Sequence, residues 1–347
     1  MFKGSNPILN EYFGILADEI PEFLYDYIDT KEMQRLHDIG QSCGTDYSKM
    51  FNHEFYHTVL DHSIGVALIV WNFTKDKKQT IAGLFHDIAT PVFKHAIDFM
   101  NGDYETQEST EELTTKIISD SKEIMSLLKR DGINLKEIDD YHIYPIADND
   151  SPRLAADRLE YTLTNGLGGT TKLWNIEDVR EIYKNLEIQK NEDGIEELGF
   201  KDLKVAEKFV HTMSQLSSMY IDSKTKFSMQ FLADIMKKMS SQNLITANEL
   251  YTLKEKDVIE RIEECSYDNI SKCFEIWRNS KTINESDEEI EDKYLVSVKA
   301  KIRYSIPLVN VNNEYIRIDK ISETAKEDIE RAKNYKTKKY AYLDFNF

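Results

Sequence analysis

The chain has 347 residues and a formal net charge of −18 at pH 7, and 41% of its residues are hydrophobic while 31% are charged. This balance suits a folded protein with a large core and excludes a mainly disordered chain. Because the acidic surplus repels polyanions, we expect no binding of long DNA or RNA, whereas a small anionic substrate can bind beside a cation.

Cysteine usage and the apolar runs indicate the compartment. Cys43, Cys265 and Cys273 form neither a CxxC pair nor an even set, which argues against a disulfide framework and a zinc ribbon. Residues 64–71, the longest apolar run, are fewer than the roughly 18 to 20 residues that span a bilayer, and the N-terminus lacks a secretory signal pattern. We therefore predict a cytoplasmic protein with no membrane partner.

Most of the chain predicts helices, because apolar residues recur at three- and four-residue spacings and there are only 13 Gly and 6 Pro. Residues 64–70 predict a helix that is apolar nearly all round, and residues 81–85 predict another; such helices lie in a core. Residues 103–131 carry an apolar stripe among charges and predict an amphipathic surface helix that stops at Gly132. The fold class is therefore predicted to be mainly α.

The last part of the chain has a different pattern. Six acidic residues crowd positions 285–292, so residues 281–293 are interpreted as a solvated linker between a helical body, 1–280, and a smaller part, 294–347. Strict alternation over residues 296–306 predicts a half-buried strand. Asn312 and Asn313 predict a turn into a second strand at 315–318, and a final helix is expected around 322–337. Together these form a small β element near the C-terminus that packs on the body.

Three residues suggest a metal site. His62 opens the first apolar helix, and His86 and Asp87 are adjacent in the predicted second one, where an unpaired imidazole and carboxylate would cost several kcal/mol. A bound cation would satisfy both. In the alternative, Asp87 caps a neighbouring backbone and His86 donates to a carbonyl.

A fourth residue, Asp157, could complete a set of two histidines and two aspartates. Mixed imidazole and carboxylate ligands suit a divalent ion, either Mn, Fe, Ni, Zn or Mg, with a coordination position left for water. The alternative for Asp157 is an ion pair with Arg158 or Arg153. His37, His142 and His211 are expected at the surface, whereas His53 and His57 have a low chance of touching metal or substrate.

The order of these residues resembles the H…HD…D signature of the HD superfamily of metal-dependent phosphohydrolases. The similarity covers most of the chain and is greatest to the branch of deoxynucleoside triphosphate triphosphohydrolases. The segments that carry the resemblance are residues 29–36, 41–44, 62–66, 156–161 and 301–307. The resemblance implies a helical HD-domain bundle, a divalent metal cofactor and a small phosphorylated substrate, and relatives often form homo-oligomers.

Carried over position by position, the resemblance makes His62, His86, Asp87 and Asp157 the metal ligands. A water activated by the metal would then attack the phosphorus of a phosphate ester or anhydride. The resemblance also implies two catalytic residues, His95, which follows His86 by nine positions, and Asp157. The substrate-binding residues that we predict are Gln41, Lys94, Arg158, Tyr161 and Tyr220.

The sequence departs from the triphosphohydrolase pattern at four positions. Thr90 and Glu105 stand where that branch has histidines, Val59 replaces an arginine, and Asn165 replaces an acid. The cations available for phosphates are Lys94, Arg158, Lys224 and Lys226. A nucleotide substrate, deoxynucleoside triphosphate-like or shorter, therefore stays the expectation, and the alternative is a nucleotide-sensing regulatory protein with little turnover.

Overall fold

The computed structural model describes residues 4–110, 113–267 and 269–347. Within them the chain forms sixteen α-helices and seven short strands. The helices are α1 Pro7–Leu16, α2 Glu22–Ile28, α3 Lys31–Arg35, α4 Val59–Thr74, α5 Lys77–Phe85, α6 His95–Asn101, α7 Thr114–Asp120, α8 Lys122–Asp131, α9 Ala156–Thr164, α10 Ile176–Lys184, α11 Leu203–Tyr220, α12 Ser223–Ser241, α13 Ala247–Leu250, α14 Glu255–Glu263, α15 Ile270–Asn279 and α16 Glu323–Lys333. The strands are β1 Leu186–Lys190, β2 Glu196–Phe200, β3 Asn284–Ser286, β4 Leu295–Val296, β5 Leu308–Val311, β6 Glu314–Arg317 and β7 Tyr340–Tyr342. The mainly α prediction is confirmed.

The two apolar helices α4 and α5 lie in the core, as predicted, and they pack against each other. A capping box begins α4: the Thr58 hydroxyl accepts from the Asp61 amide, and the Asp61 carboxylate accepts from the Thr58 amide. Every residue from Val59 to Val70 is buried. However, α5 ends at Phe85, so His86 and Asp87 lie in the turn after this helix rather than inside it.

The predicted amphipathic helix at 103–131 is shorter and interrupted. The chain forms α7 and then α8, because the Ser121 hydroxyl caps the amide of Ile124 and begins a new helix. Ile124 and Leu128 of the predicted stripe are buried, and Gly132 ends α8 in the left-handed conformation, as expected. Residues 111–112 of the prediction lie outside the described residues.

The β structure is not confined to the C-terminus, which corrects the prediction. One sheet has the order β1-β2-β5-β6, in which β2 and β5 run parallel, and β1 and β2 precede α11. The second sheet has the order β3-β7-β4. The long strand expected at 296–306 is also wrong, because β4 covers only Leu295–Val296 and regular strand structure resumes at Leu308.

The turn at Asn312 and Asn313 is confirmed, with φ angles of 54° and 69°, and it joins β5 to β6 as a hairpin. The final helix, α16, falls within the predicted range. Residues 281–293 are mostly exposed, as expected of a solvated segment, although they contain β3. One apolar core includes Trp277 from the body and Val296 and Leu343 from the C-terminal part. The domain boundaries stay a prediction.

Across the described residues, no helix is long and apolar enough to cross a membrane.

Candidate metal centre

Three separate stretches of chain deliver the predicted ligands. His62 lies in the first turns of α4, His86 and Asp87 directly follow α5, and Asp157 is the second residue of α9. Since α4 packs against both α5 and α9, the three stretches meet at one point of the core.

The four predicted ligands converge there. The Nε2 atoms of His62 and His86 are 3.2 Å apart. The Asp157 Oδ1 atom lies 3.1 Å from Nε2 of His62 and 3.8 Å from Nε2 of His86, and the Asp87 Oδ2 atom lies 3.8 Å and 3.6 Å from the same two atoms. His62, His86 and Asp87 are close enough together to bind one metal ion.

The outer nitrogens of both imidazoles are bound to acceptors. Nδ1 of His86 is 2.8 Å from the Gly83 carbonyl, and Nδ1 of His62 contacts the Glu160 carboxylate. A carbonyl and a carboxylate accept hydrogen bonds, so each Nδ1 carries a proton and each Nε2 atom faces the centre, where it can present its lone pair to a bound ion. His86 thus does donate to a carbonyl through Nδ1, as the alternative proposes. Its Nε2 atom nevertheless faces the other predicted ligands.

Glu160 is the functional residue that sequence reasoning missed. Its side chain is fully buried, and it also accepts a hydrogen bond of 3.2 Å from the Tyr12 hydroxyl. Gly65 leaves room for it, since a Cβ there would lie 2.6 Å from Oε1 of Glu160. The available signal was its spacing: Glu160 follows Asp157 by three residues, so both lie on one face of α9.

The centre attracts positive charge. Although burial lowers the pKa of His62, the Glu160 carboxylate and the hydrogen bond with Asp157 outweigh it and raise the pKa to about 9. Burial alone would raise the pKa of Asp87 and Asp157, but Lys94 beside Asp87 and His62 beside Asp157 hold both well below the ordinary range. Without a metal, a proton on His62 therefore occupies the position of the cation. Two imidazoles and two ionised carboxylates fit a divalent ion.

The two kinds of ligand differ in exposure. The side chains of His62 and His86 are 1% and 4% exposed, whereas those of Asp87 and Asp157 are 15% and 21% exposed. The imidazoles thus form the closed side of the centre and the carboxylates its open side. The carboxylate side is therefore the side from which a small molecule would approach a bound ion, and hydrolytic metal sites keep a position open for such a ligand.

Two predicted substrate-binding residues lie beside the carboxylate of Asp87. The Lys94 ammonium is 2.5 Å from Oδ2 of Asp87 and 3.1 Å from Oε1 of Gln41. Lys94 is 7% exposed and directly precedes α6. The structure therefore brings Lys94 and Gln41 to the predicted ligands.

His95, Tyr161 and Tyr220 form a neighbouring group with a fourth residue. Nδ1 of His95 is 2.8 Å from Asp98, and its Nε2 is 3.2 Å from Nη2 of Arg303. The Arg303 guanidinium lies 5.8 Å from the centre of the Tyr161 ring, which is 6.4 Å from that of Tyr220. Burial lowers the pKa of His95, so its imidazole is neutral. Sequence reasoning did not select Arg303.

Arg158 points elsewhere. Its Nε donates to the Arg153 carbonyl at 2.7 Å, and its Nη2 contacts Asn149 and lies 3.1 Å from Asp148. It pairs with neither Asp157 nor Glu160 in the described contacts. These contacts tie the Arg158 guanidinium to residues 148–153, just before α9. No described contact joins Arg158 to the predicted metal ligands, so its substrate-binding role stays a prediction.

The other predicted cations and the positions that depart from the family pattern are also placed. Lys224 lies over the Phe51 ring and Lys226 donates to Thr337, so neither ammonium contacts the predicted ligands. Glu105 is 63% exposed and pairs with Lys299. The surface prediction for His37, His142 and His211 is confirmed, as all three are exposed.

The fold and the centre define a mainly helical protein with a buried site of two histidines and two aspartates that suits a divalent ion. Residues 59–159 match the family model of the HD domain, a segment that begins with α4 and includes all four predicted ligands. The segment that builds the centre is therefore similar to the HD domain.

Three similar proteins extend along the chain. The uncharacterized protein YdhJ of Bacillus subtilis is 24% identical, with 92% of this chain and 94% of the relative covered. The metal-dependent phosphohydrolase cns2 of Cordyceps militaris is 26% identical over 47% of this chain and 48% of its own. The crystal structure of a phosphohydrolase from Bacteroides thetaiotaomicron, 16% identical, superposes with a TM-score of 0.62 over 93% of this chain and 96% of the other, which shows a shared fold. The resemblance to the triphosphohydrolase branch stays a prediction.

Proposed function

We propose that the protein is a metal-dependent phosphohydrolase that cleaves a small phosphate ester or anhydride. The observation that carries the proposal is the position of the two Nε2 atoms, which are 3.2 Å apart and each lie within 3.1–3.8 Å of an oxygen of both Asp87 and Asp157. The relatives described as phosphohydrolases support it. When bound, the divalent ion supplies a water of lowered pKa and neutralises charge that develops on phosphoryl oxygens.

The residues around the centre orient the metal ligands and contact the substrate and the attacking water. Glu160 orients the His62 ring and keeps its proton on Nδ1, so that Nε2 binds the ion. Lys94 is buried beside Asp87, where its ammonium would attract an oxygen of a phosphate bound at the ion. Asp157 is the most exposed of the four ligands and can accept a hydrogen bond from the attacking water. His95 stays a predicted catalytic residue, and in this structure its two ring nitrogens are bound to Asp98 and Arg303.

We propose a nucleotide as the substrate, with a mono- or diphosphate more suitable than a triphosphate. A triphosphate tail needs several cationic donors, whereas Arg158, Lys224 and Lys226 are bound to other protein groups. The second candidate function is a nucleotide sensor with little turnover. It is favoured by Thr90 and Glu105, which stand in place of two family histidines, and by the exposed position of Glu105 at the surface.

The test is a phosphate-release screen over nucleoside mono-, di- and triphosphates, with metal analysis of the same samples. Since a catalytic ion contributes several kcal/mol of transition-state stabilisation, Asp87→Asn should lower activity by about a thousandfold and reduce the bound metal. Asp120→Asn, at an exposed pair with Lys116, is the control and should change neither. Unchanged metal content in Asp87→Asn would contradict the ligand assignment, and bound metal without any release would favour the sensor.

A further inference from the structure

Arg303 stands out among the basic residues of this acidic chain. It lies in the stretch between β4 and β5 and is half-buried. Acidic residues outnumber basic ones by 62 to 44, yet within the described part of the chain no carboxylate pairs with the Arg303 guanidinium. A half-buried guanidinium without a counter-ion is costly, because its charge is partly removed from water and is not compensated.

The contacts of Arg303 fix its position and leave most of its donors unused. Nη2 donates to Oε1 of Gln107 at 2.6 Å and to Nε2 of His95 at 3.2 Å. A guanidinium has five N–H groups, and the two on Nη2 are thereby used. Those on Nη1 and Nε have no acceptor among the described residues. The Tyr161 ring lies against the guanidinium plane, with 5.8 Å between the arginine carbon and the ring centre.

These contacts connect Arg303 to the metal centre through two residues, Tyr161 and His95. Tyr161 follows the ligand Asp157 by one turn of α9. His95 follows Lys94, whose ammonium touches the ligand Asp87. His95 is 22% exposed and Asp157 is 21% exposed, so both this group and the carboxylates of the centre reach solvent.

We infer that Arg303 is a substrate-binding residue, which takes a phosphate oxygen of the substrate with the free N–H groups on Nη1 and Nε. The inference rests on the proposed function and names the anionic group that the site recognises. Planar guanidinium donors match a phosphate in a bidentate way, and Lys94 supplies a second charge nearby. The phosphate provides the counter-ion that the protein does not. His95 and Gln107 position the guanidinium, and the unpaired stretch before β5 is part of the site.

The test measures equilibrium binding of orthophosphate to the metal-loaded full chain by calorimetry, with metal content determined for every variant. Arg303→Gln should weaken orthophosphate binding by about tenfold to a hundredfold at unchanged metal content, as expected for the loss of charge-assisted hydrogen bonds. Arg303→Lys keeps the charge and should recover part of the affinity. The control is Lys299→Gln, in the same stretch but 85% exposed, which should bind orthophosphate as the wild type does.

The inference is overturned if Arg303→Gln binds orthophosphate as tightly as the wild type, if Lys299→Gln loses as much affinity, or if the metal-loaded wild type binds no orthophosphate. A change in metal content alone would assign Arg303 a structural role and would also overturn it. A wild type that binds orthophosphate through Arg303 but hydrolyses no phosphate ester supports this inference while it contradicts the proposed function.

Discussion

At the scale of single residues, the metal centre depends on where two protons are held. Glu160 and the Gly83 carbonyl hold the Nδ1 protons of His62 and His86, and both Nε2 atoms therefore point at the same space. Two lone pairs 3.2 Å apart beside two carboxylates repel one another unless a cation or a proton lies between them. Glu160 is thus as necessary to this arrangement as the ligands that it supports.

Glu160→Gln tests this dependence. The substitution preserves the shape of the side chain but removes the charge that orients His62, so metal affinity should fall by about tenfold to a hundredfold. Competition with a chromogenic chelator measures the affinity. Glu177→Gln, at a side chain that is 72% exposed, should leave it unchanged. Equal affinity in the wild type and Glu160→Gln would show that the buried carboxylate does not act through His62.

The raised pKa of His62 makes metal binding depend on pH. Because the metal-free imidazole has a pKa of about 9 and the bound form must give up that proton, metal affinity should rise by about tenfold per pH unit below this value and level off above it. Chelator competition between about pH 6.5 and 9 measures the slope. In Glu160→Gln the pKa of His62 falls, so the slope should flatten at a lower pH. A pH-independent affinity in the wild type would contradict the proton assignment.

At the scale of elements, a buried ion pair ties the β1–β2 hairpin to the C-terminal strands. Arg317 on β6 donates to both oxygens of Glu197 on β2, at 2.6 Å and 2.8 Å, and Glu197 is fully buried. Arg317 also contacts Glu192, which is 58% exposed. The sequence could have indicated this hairpin through the turn at Gly194, whose φ is 76°. The parallel pairing of β2 with β5 joins strands far apart in the chain, which no local pattern reveals.

The two glutamates give a matched pair for this link. Glu197→Gln leaves the buried Arg317 without its main counter-ion and should lower the free energy of unfolding by about 3 to 5 kcal/mol. Glu192→Gln removes a solvent-screened partner of the same arginine and should cost about 0 to 1 kcal/mol. Urea unfolding measures both. If both variants lost a similar free energy of unfolding, burial would not explain the strength of the ion pair between Arg317 and Glu197.

At the scale of the whole molecule, the sequence singles out four candidate ligands that the structure brings together, whereas it predicts the segments around them less well. His62, the His86–Asp87 pair and Asp157 could be selected because such residue types are rarely placed among apolar neighbours without a partner. The strand prediction for residues 296–306 is wrong. Their alternation predicts a strand with its apolar side chains buried, whereas Ile302 is 38% exposed and Ser305 is buried. This stretch is placed by contacts with distant parts of the chain, among them those of Arg303.

The central claim is that four side chains from three stretches of the chain hold one divalent ion. Anomalous scattering from a crystal grown with manganese tests it most directly. The account predicts one strong peak at about 2.0 to 2.3 Å from Nε2 of both His62 and His86 and from a carboxylate oxygen of both Asp87 and Asp157. A crystal whose anomalous peaks all lie away from these side chains, or which shows none, would contradict it.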